Sequence, residues 1–317
     1  MGPTEQTIFQ QFPYWAKAIT QPGSLRAAEI TVFVGCGTSY NLALALASLA
    51  NAAGTPSIAV PGGEWTYRPA NYWARWKNAH VVALSRSGET TETVAAAKAS
   101  RAAGLFVTAI TMEPESALAQ NCDAVILAQT HPAEGIVMTT SASLMLLLGI
   151  QLMGHAVDPA LPGKAERLLA EVNAQSVALI GGRRFFVYLG GGALYGIGLE
   201  GALKLTEMSQ IVTQAFHPLE YRHGPVSMVE PDTAVIMLYS HDQAEAEAKL
   251  AGELQGKGAY VIGFGGPGDV SFAVDVAPEL RGLTVLPALQ LLGERAAQSQ
   301  HKDTAAPRHL TKVVMLA

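Results

Sequence analysis

Residues 32–37 read Val-Phe-Val-Gly-Cys-Gly and residues 187–192 read Val-Tyr-Leu-Gly-Gly-Gly, so an apolar run ending in a glycine turn occurs twice, 155 residues apart. Two further runs repeat at nearly the same spacing. Val-Val-Ala-Leu-Ser ends at residue 85 and Val-Ile-Met-Leu-Tyr-Ser at residue 240, while Phe106–Ile110 matches Tyr260–Phe264. Three strand ends in one register indicate a tandem duplication.

Short apolar runs alternate with Ala- and Leu-rich stretches along the chain, which is typical of βαβ units on a parallel sheet. The predicted strands are 31–34, 57–60, 81–84, 106–110, 124–127, 185–189, 234–239, 260–264 and 272–276. We therefore predict an α/β fold of two domains, 1–157 with a leading helix and 165–300. A Pro- and Gly-containing linker near Asp158–Lys164 separates them, and a tail, 301–317, has no counterpart in the first half and is expected to close an active site.

The composition limits the possible functions. Hydrophobic residues make up 49% of the 317-residue chain and charged residues 15%, which allows a large core and argues against disorder. The formal net charge is −5 with no basic run, so we expect no nucleic-acid partner. A phosphorylated ligand would have to be bound by local donors.

Neither a membrane segment nor a disulfide framework is expected. The longest apolar stretch, Ala142–Leu152, is too short to span a bilayer and is predicted to be a core or interface helix. The first residues lack the features of a signal peptide. The two cysteines, Cys36 and Cys122, belong to no metal-ligand pattern. These features predict a cytoplasmic protein without a zinc site.

The first glycine turn, Gly35-Cys36-Gly37-Thr38-Ser39, leaves a predicted strand and opens a predicted helix, an arrangement that presents backbone N–H groups to an anion. A dinucleotide fold would have a third glycine where Tyr40 stands and an acid at the end of the next strand, and both are missing. An ordinary tight turn explains this motif equally well, so the motif alone leaves both interpretations open.

The second turn, Ser85-Arg86-Ser87-Gly88-Glu89-Thr90, places three hydroxyl groups around a helix N-terminus. Helix capping explains one such residue. Three hydroxyls beside Arg86 favour a bound anion such as a phosphate, which a neutral protein can hold in this way without a lysine cluster.

In the second half, Glu200, Lys204 and Glu207 are spaced i, i+4 and i+7 and so share one helical face. Such a stripe is usually a solvated salt-bridge face. Here the rest of the helix is Gly, Ala, Leu and Ile, which favours a functional acid–base set. His223 precedes a Gly-Pro turn and is a weak candidate by itself.

Six motifs occur in an order that resembles the SIS-domain phosphosugar isomerase/deaminase family, as found in the isomerase half of glucosamine-6-phosphate synthase and in SIS-type glucosamine-6-phosphate deaminases. They are Gly35–Tyr40, Gly62–Arg68, Leu84–Thr93, Leu199–Glu207, Tyr221–Pro225 and Pro307–Lys312. The resemblance implies two flavodoxin-like SIS domains and a homodimer.

The resemblance also implies roles for single residues. The substrate-binding residues would be Cys36, Gly37, Thr38, Ser39, Ser85, Arg86, Ser87, Thr90, Val137, Met138 and Thr139. Ser85, Ser87 and Thr90 would hold the phosphate. Glu207 would be the base that moves a proton between C1 and C2, assisted by Lys204 and Glu200. His223, supplied by the partner subunit, would open the sugar ring, and Lys312 would contact the open-chain sugar.

The expected function is that of a glucosamine-6-phosphate deaminase which isomerises the sugar and releases ammonia without metal or other cofactor. The synthase carries an N-terminal glutaminase domain whose cysteine nucleophile follows the initiator Met, whereas this chain has Gly2 at that position and begins close to its first predicted strand. Aminotransferase activity is therefore not expected. Arg86 also replaces the synthase's Gln, which leaves the exact sugar open. The alternatives within enzymes are a phosphosugar aldose–ketose isomerase and a deaminase or deglycase acting on galactosamine 6-phosphate or a fructosamine 6-phosphate. The alternative of another class is a non-catalytic phosphosugar sensor.

Overall fold

The computed structural model describes residues 1–20, 23–73 and 76–314. The chain forms two compact units, each described by itself below. The first unit comprises Pro13–Pro159 and the tail from His309 onward, and the second comprises Met1–Phe12 and Ala160–Arg308.

The ten strands are β1 (Ile30–Gly35), β2 (Ser57–Pro61), β3 (Ala79–Leu84), β4 (Phe106–Thr111), β5 (Ala124–Leu127), β6 (Phe185–Gly190), β7 (Thr213–Phe216), β8 (Thr233–Leu238), β9 (Tyr260–Phe264) and β10 (Val270–Phe272) among the described residues. The helices of the same residues are α1 (Pro3–Phe9), α2 (Phe12–Ala18), α3 (Thr38–Ala52), α4 (Gly62–Tyr67), α5 (Thr91–Ala102), α6 (Ala117–Gln120), α7 (Thr140–Leu152), α8 (Leu161–Ile180), α9 (Ala193–Ser209), α10 (Ala244–Gln255) and α11 (Arg281–Ser299).

Each unit holds one five-stranded parallel sheet, and the two sheets have the same topology. The first runs β2-β1-β3-β4-β5, and the second, written from its other edge, runs β7-β6-β8-β9-β10. This order is that of the flavodoxin-like fold, whose ligands bind where the strand order reverses, next to the carboxyl ends of the strands. The predicted α/β fold class and the tandem duplication are confirmed.

The two glycine turns have the same backbone conformation. Gly37, which precedes α3, has φ 55° and ψ −125°, and Gly192, which precedes α9, has φ 54° and ψ −127°. A side chain is strained at positive φ, which explains why both copies carry glycine there. The residue two places earlier must be glycine for a second reason, because a Cβ at Gly35 would lie 2.6 Å from the carbonyl carbon of Ser39.

The strand assignment differs from the prediction at two places. β7 was not predicted, because Thr213–Phe216 reads Thr-Gln-Ala-Phe, is only half-buried at the sheet edge and shows no apolar run. It is the counterpart of β2. The last strand is β10 at Val270–Phe272, earlier than the predicted 272–276. The carbonyls of Ile110 and Phe264 accept equivalent bonds from the amides of Ser85 and Tyr239, so this pair of turns is offset by 154 residues.

The units also divide the chain ends differently from the predicted boundaries. The leading helix α1 lies in the second unit, where the Thr4 hydroxyl donates to the Thr304 carbonyl at 2.9 Å and Glu5 forms an ion pair with Arg295 at 2.6 Å. Residues 301–308 likewise belong to the second unit and only the tail from His309 belongs to the first. These bonds join segments about 300 residues apart in sequence, which a local pattern cannot show.

The core of each unit lies around its central strands, because every residue of β3 and of β8 is buried. Helix α7, predicted as a core or interface helix, is buried along its whole length, including the polar Gln151. The Gln151 amide offsets the cost of its burial by accepting from Thr20 N at 2.7 Å and donating to Ala18 O at 3.1 Å. None of the helices in the described ranges is both long and apolar enough to cross a membrane.

Candidate active site

The serine turn, residues 85–90 after β3, is closed by hydrogen bonds between its own hydroxyl groups and backbone amides. The Ser85 hydroxyl accepts from Gly88 N at 3.1 Å and the Ser87 hydroxyl accepts from Glu89 N at 3.2 Å, which holds the turn closed. Thr90 is the N-cap residue of α5, yet within the described chain its side chain makes no capping bond. Its hydroxyl lies 3.5 Å from that of Ser85. Three hydroxyls thus converge at the positive end of a helix.

Gly88 gives this turn its shape. Its φ is +63°, and a Cβ there would lie 2.0 Å from the Ser116 hydroxyl oxygen and 2.4 Å from Ser116 Cβ. The Gly88 carbonyl accepts from Leu118 N at 2.9 Å. The turn therefore packs directly against the start of α6, and only glycine fits.

The Arg86 side chain is directed to carbonyl groups outside the serine turn. It is buried, and its guanidinium donates to the carbonyls of Gly135 at 2.9 Å, Ile136 at 3.1 Å and Lys312 at 3.0 Å. The Lys312 ammonium in turn reaches the Glu134 carbonyl at 3.4 Å. Three sequence-predicted features, Arg86, the segment before α7 and the tail lysine, therefore meet in the first unit.

Glu134 is a residue that the sequence motifs did not single out. Its buried carboxylate accepts from the backbone amides of Thr139 at 2.6 Å and Ser141 at 3.0 Å, and from the Thr130 hydroxyl at 2.6 Å. A carboxylate at a helix N-terminus satisfies the first amides of that helix, here α7. Thr139 N, in the Val137–Thr139 segment that the resemblance implies for substrate binding, is thus bound by Glu134. The sequence signal that could have identified Glu134 is an acidic residue a few positions before the start of a helix.

The first glycine turn lies beside the start of α5. Thr38 and Ser39 are buried, and Cys36 Sγ lies 3.6 Å from the Thr93 hydroxyl. Burial is the main cause that raises the pKa of the Cys36 thiol, and the nearby Glu92 carboxylate adds to it. Cys36 is thus a neutral thiol near neutral pH, suited to packing and weak polar contact and not to nucleophilic attack.

The charged stripe on α9 is buried. Glu200 is 0% and Lys204 1% exposed, while Glu207 remains 20% exposed at the end of the stripe. The Lys204 ammonium lies 3.5 Å from Glu200 and forms a short ion pair with Glu207. A solvated surface stripe would show the opposite burial. Glu207 is the carboxylate that solvent or a substrate can reach.

His223 lies elsewhere in the second unit, after a 3₁₀ turn at Leu219–Arg222. It is exposed, and Gly224 after it has φ +124°. Among the described residues its ring forms no hydrogen bond or ion pair with the α9 stripe. The structure therefore groups Glu200, Lys204 and Glu207 and leaves His223 at the surface of its unit.

The place in the second unit that corresponds to the serine turn is filled by the chain itself. Glu247 is buried, and its carboxylate accepts from Ser240 N at 2.7 Å and from the Ser240 hydroxyl at 3.0 Å. It also lies against the second glycine turn, where a Cβ on Gly191 would come within 3.4 Å of it. Burial is the main cause that raises the Glu247 pKa. The sequence motifs did not single out Glu247, because nothing local distinguishes it from the neighbouring acids of α10.

The geometry agrees with comparisons to known proteins. The model of the SIS domain matches residues 24–153, in the first unit, and 179–273, in the second. The chain belongs to the SIS-domain family. Among solved SIS structures, the glucosamine-6-phosphate deaminase of Thermotoga maritima is similar with a TM-score of 0.86 and 29% identity, covering 99% of this chain and 100% of that one. The tagatose-6-phosphate ketose/aldose isomerase of Escherichia coli, at TM-score 0.80 and 22% identity, shares the fold; the match covers 95% of this chain and 93% of that one.

Among curated SIS relatives, the glutamine–fructose-6-phosphate aminotransferase of Pyrobaculum aerophilum is 30% identical over 94% of this chain and 53% of its own length. The corresponding enzyme of Pseudomonas aeruginosa is 30% identical over 89% of this chain and 51% of its own length. The chain therefore spans about half the length of the curated relatives that it matches. The resemblance to the SIS phosphosugar isomerase/deaminase family seen in the sequence motifs is confirmed.

Proposed function

We propose that this SIS protein is a glucosamine-6-phosphate deaminase. The observation that carries the proposal is the buried stripe of α9, in which Lys204 is held between Glu200 and Glu207 and only Glu207 is accessible. A sensor of phosphosugars needs a phosphate-binding site but no buried acid–base set. The similarity to the Thermotoga maritima deaminase along 99% of the chain supports the same substrate class.

In the proposed reaction, Ser85, Ser87 and Thr90 bind the 6-phosphate, and His223 assists opening of the pyranose ring to the aldehyde. Glu207 removes the proton from C2 and delivers it to C1, while a proton passes from the amine to O1. The product of this step is a primary alcohol at C1 and an imine at C2. Water adds to the imine and ammonia leaves, which gives fructose 6-phosphate. General acid–base catalysis contributes about 10²–10⁴ in rate for each such transfer.

Lys204 has a defined part in this chemistry. Its ammonium pairs with the Glu207 carboxylate and holds it in place, and Glu200 balances the lysine's charge in the buried helix face. Lys312, held over the segment that begins at Glu134, is the proposed contact to the open-chain sugar.

We also propose that the enzyme acts as a homodimer in which His223 serves the site of the other subunit. The exposure of His223 in its own unit supports this, as do the exposed apolar side chains of Leu219 (41%) and Met228 (54%) on either side of it. A cytoplasmic location fits the two free cysteines, Cys36 and Cys122.

The deciding experiment offers glucosamine 6-phosphate and galactosamine 6-phosphate separately and measures ammonia. Release from glucosamine 6-phosphate is expected, with no effect of added glutamine. Release only from galactosamine 6-phosphate would change the substrate, and isomerisation of an unaminated aldose phosphate without ammonia would make the protein a ketose/aldose isomerase. Saturable binding of these sugars with no turnover would favour the sensor.

A further inference from the structure

Arg86 stands in the middle of the serine turn, yet its donors are directed to two other segments of the chain. The guanidinium donates hydrogen bonds to the carbonyls of Gly135 and Ile136, which are 49 and 50 residues away in sequence. It also donates to the carbonyl of Lys312, which is 226 residues away. The side chain is only 7% exposed. A buried cation requires hydrogen bonds to compensate for lost hydration, and these three carbonyls supply them.

The backbone of Arg86 is itself fixed to the sheet. Its carbonyl accepts from Met112 N at 3.1 Å and from the Thr111 hydroxyl at 3.2 Å, both at the end of β4. The guanidinium thus extends from a rigid base toward the two segments whose carbonyls it binds.

The tail needs such an anchor. Residues 308–312 are exposed and belong to no helix or strand. Besides the bond from Arg86, residues 309–314 of the tail are held by Lys312 Nζ on the Glu134 carbonyl at 3.4 Å and by Val314 O, which accepts from Thr91 N at 3.5 Å, among the contacts of the described chain. Both of these contacts are long, so the charge-assisted bond at 3.0 Å is the strongest of the three.

We propose that Arg86 is a positioning residue that clasps the tail and the 135–136 segment, and thereby places Lys312 and the backbone of Val137–Met138 around the substrate. This role rests on the proposed function for its catalytic consequence. It differs from direct phosphate binding, which the neighbouring hydroxyls provide. A lysine could not replace the arginine, because a single ammonium lacks the planar fork of donors that reaches three carbonyls at once.

The clasp is tested first without reference to activity. Hydrogen–deuterium exchange is measured at Thr91, whose amide is covered by the tail, and at Thr139 and Ser141, whose amides are bound by Glu134. Arg86→Met should raise exchange at all three by about tenfold or more, since a hydrogen bond to a charged group is worth ~1.5–3 kcal/mol. Arg101→Met is the matched control, because Arg101 pairs with Asp123 at the surface of the same unit at 3.1 Å. Unchanged exchange in the tail and the loop would overturn the proposal.

Arg86→Lys, which keeps the charge and most of the stem, is the second variant if Arg86→Met folds poorly. It should loosen the same amides, with circular dichroism showing that the fold is retained. Exchange equal to that of the native protein at all three amides would contradict the clasp.

Kinetics then separate positioning from phosphate binding. A clasp predicts that Arg86→Met lowers kcat more than it raises KM, and that added guanidinium restores part of kcat. A raised KM with native kcat and native exchange would instead assign Arg86 to the phosphate. If the native protein releases no ammonia from any sugar tested, the proposed function fails while the exchange result still decides the clasp.

Discussion

Replacing Gly88 by alanine tests the serine turn most directly. The substitution has two costs. Alanine at φ +63° costs about 1–2 kcal/mol, the penalty of left-handed backbone for a residue with a Cβ. The new methyl also lies 2.4 Å from Ser116 Cβ, which no side-chain rotation relieves, so the packed turn must shift at a further cost of about 1–3 kcal/mol. The expected loss of unfolding free energy is thus about 2–5 kcal/mol.

Gly104→Ala is the control, because Gly104 has φ +78° and a Cβ there would meet nothing within 4 Å. Both substitutions remove the same flexibility from the unfolded chain, so their difference isolates the steric cost. Urea denaturation of both variants, followed by circular dichroism, should show Gly88→Ala less stable than Gly104→Ala by about 1–3 kcal/mol.

The same pair of variants tests the anion site. Inorganic phosphate should raise the Tm of the native protein and of Gly104→Ala, and should raise that of Gly88→Ala less, because the displaced turn no longer aims its donors at one point. Equal stability of the two variants would refute the packing argument. Equal stabilisation by phosphate would refute the assignment of this turn as the phosphate-binding site.

Three further outcomes are expected. Glu207→Gln should lower kcat by about 10²-fold or more while glucosamine 6-phosphate still raises the Tm, and a variant with native kcat would show that another group is the base. Mixed Glu207→Gln and His223→Asn subunits, each inactive alone, should regain up to about a quarter of native activity if His223 acts across a symmetric dimer, and no recovery after subunit exchange would contradict that assignment. Because burial raises the pKa of Glu247 in the folded state, its contribution is fully present below the unfolded pKa and is lost as pH rises through the folded pKa. Relative to the native protein, Glu247→Gln should therefore gain Tm as the pH rises above about 4.5, the ordinary carboxyl pKa, and a Tm difference that does not change with pH would exclude the effect.

The bulk of the fold is determined by local sequence. Central strands such as β3 and β8 are buried on both faces and are mostly apolar, and the turns that follow β1 and β6 require glycine at positive φ. The i, i+4, i+7 spacing of Glu200, Lys204 and Glu207 is likewise sufficient to assign them to one helical face. These features depend on neighbours within a few residues, so their pattern is visible in one dimension.

Other features were decided only by the tertiary structure. The edge strand β7 is stabilised by pairing with β6 and not by an apolar run of its own. The burial of the α9 stripe, the contact of Glu247 with Ser240 in the second unit and the capping of α7 by Glu134 depend on which surfaces face one another after folding. Arg86 is the clearest case: its place beside three hydroxyls predicts an anion ligand, whereas its donors satisfy carbonyls up to 226 residues away. A long charged side chain can turn toward any partner within its reach, and only the folded chain determines which partners lie there.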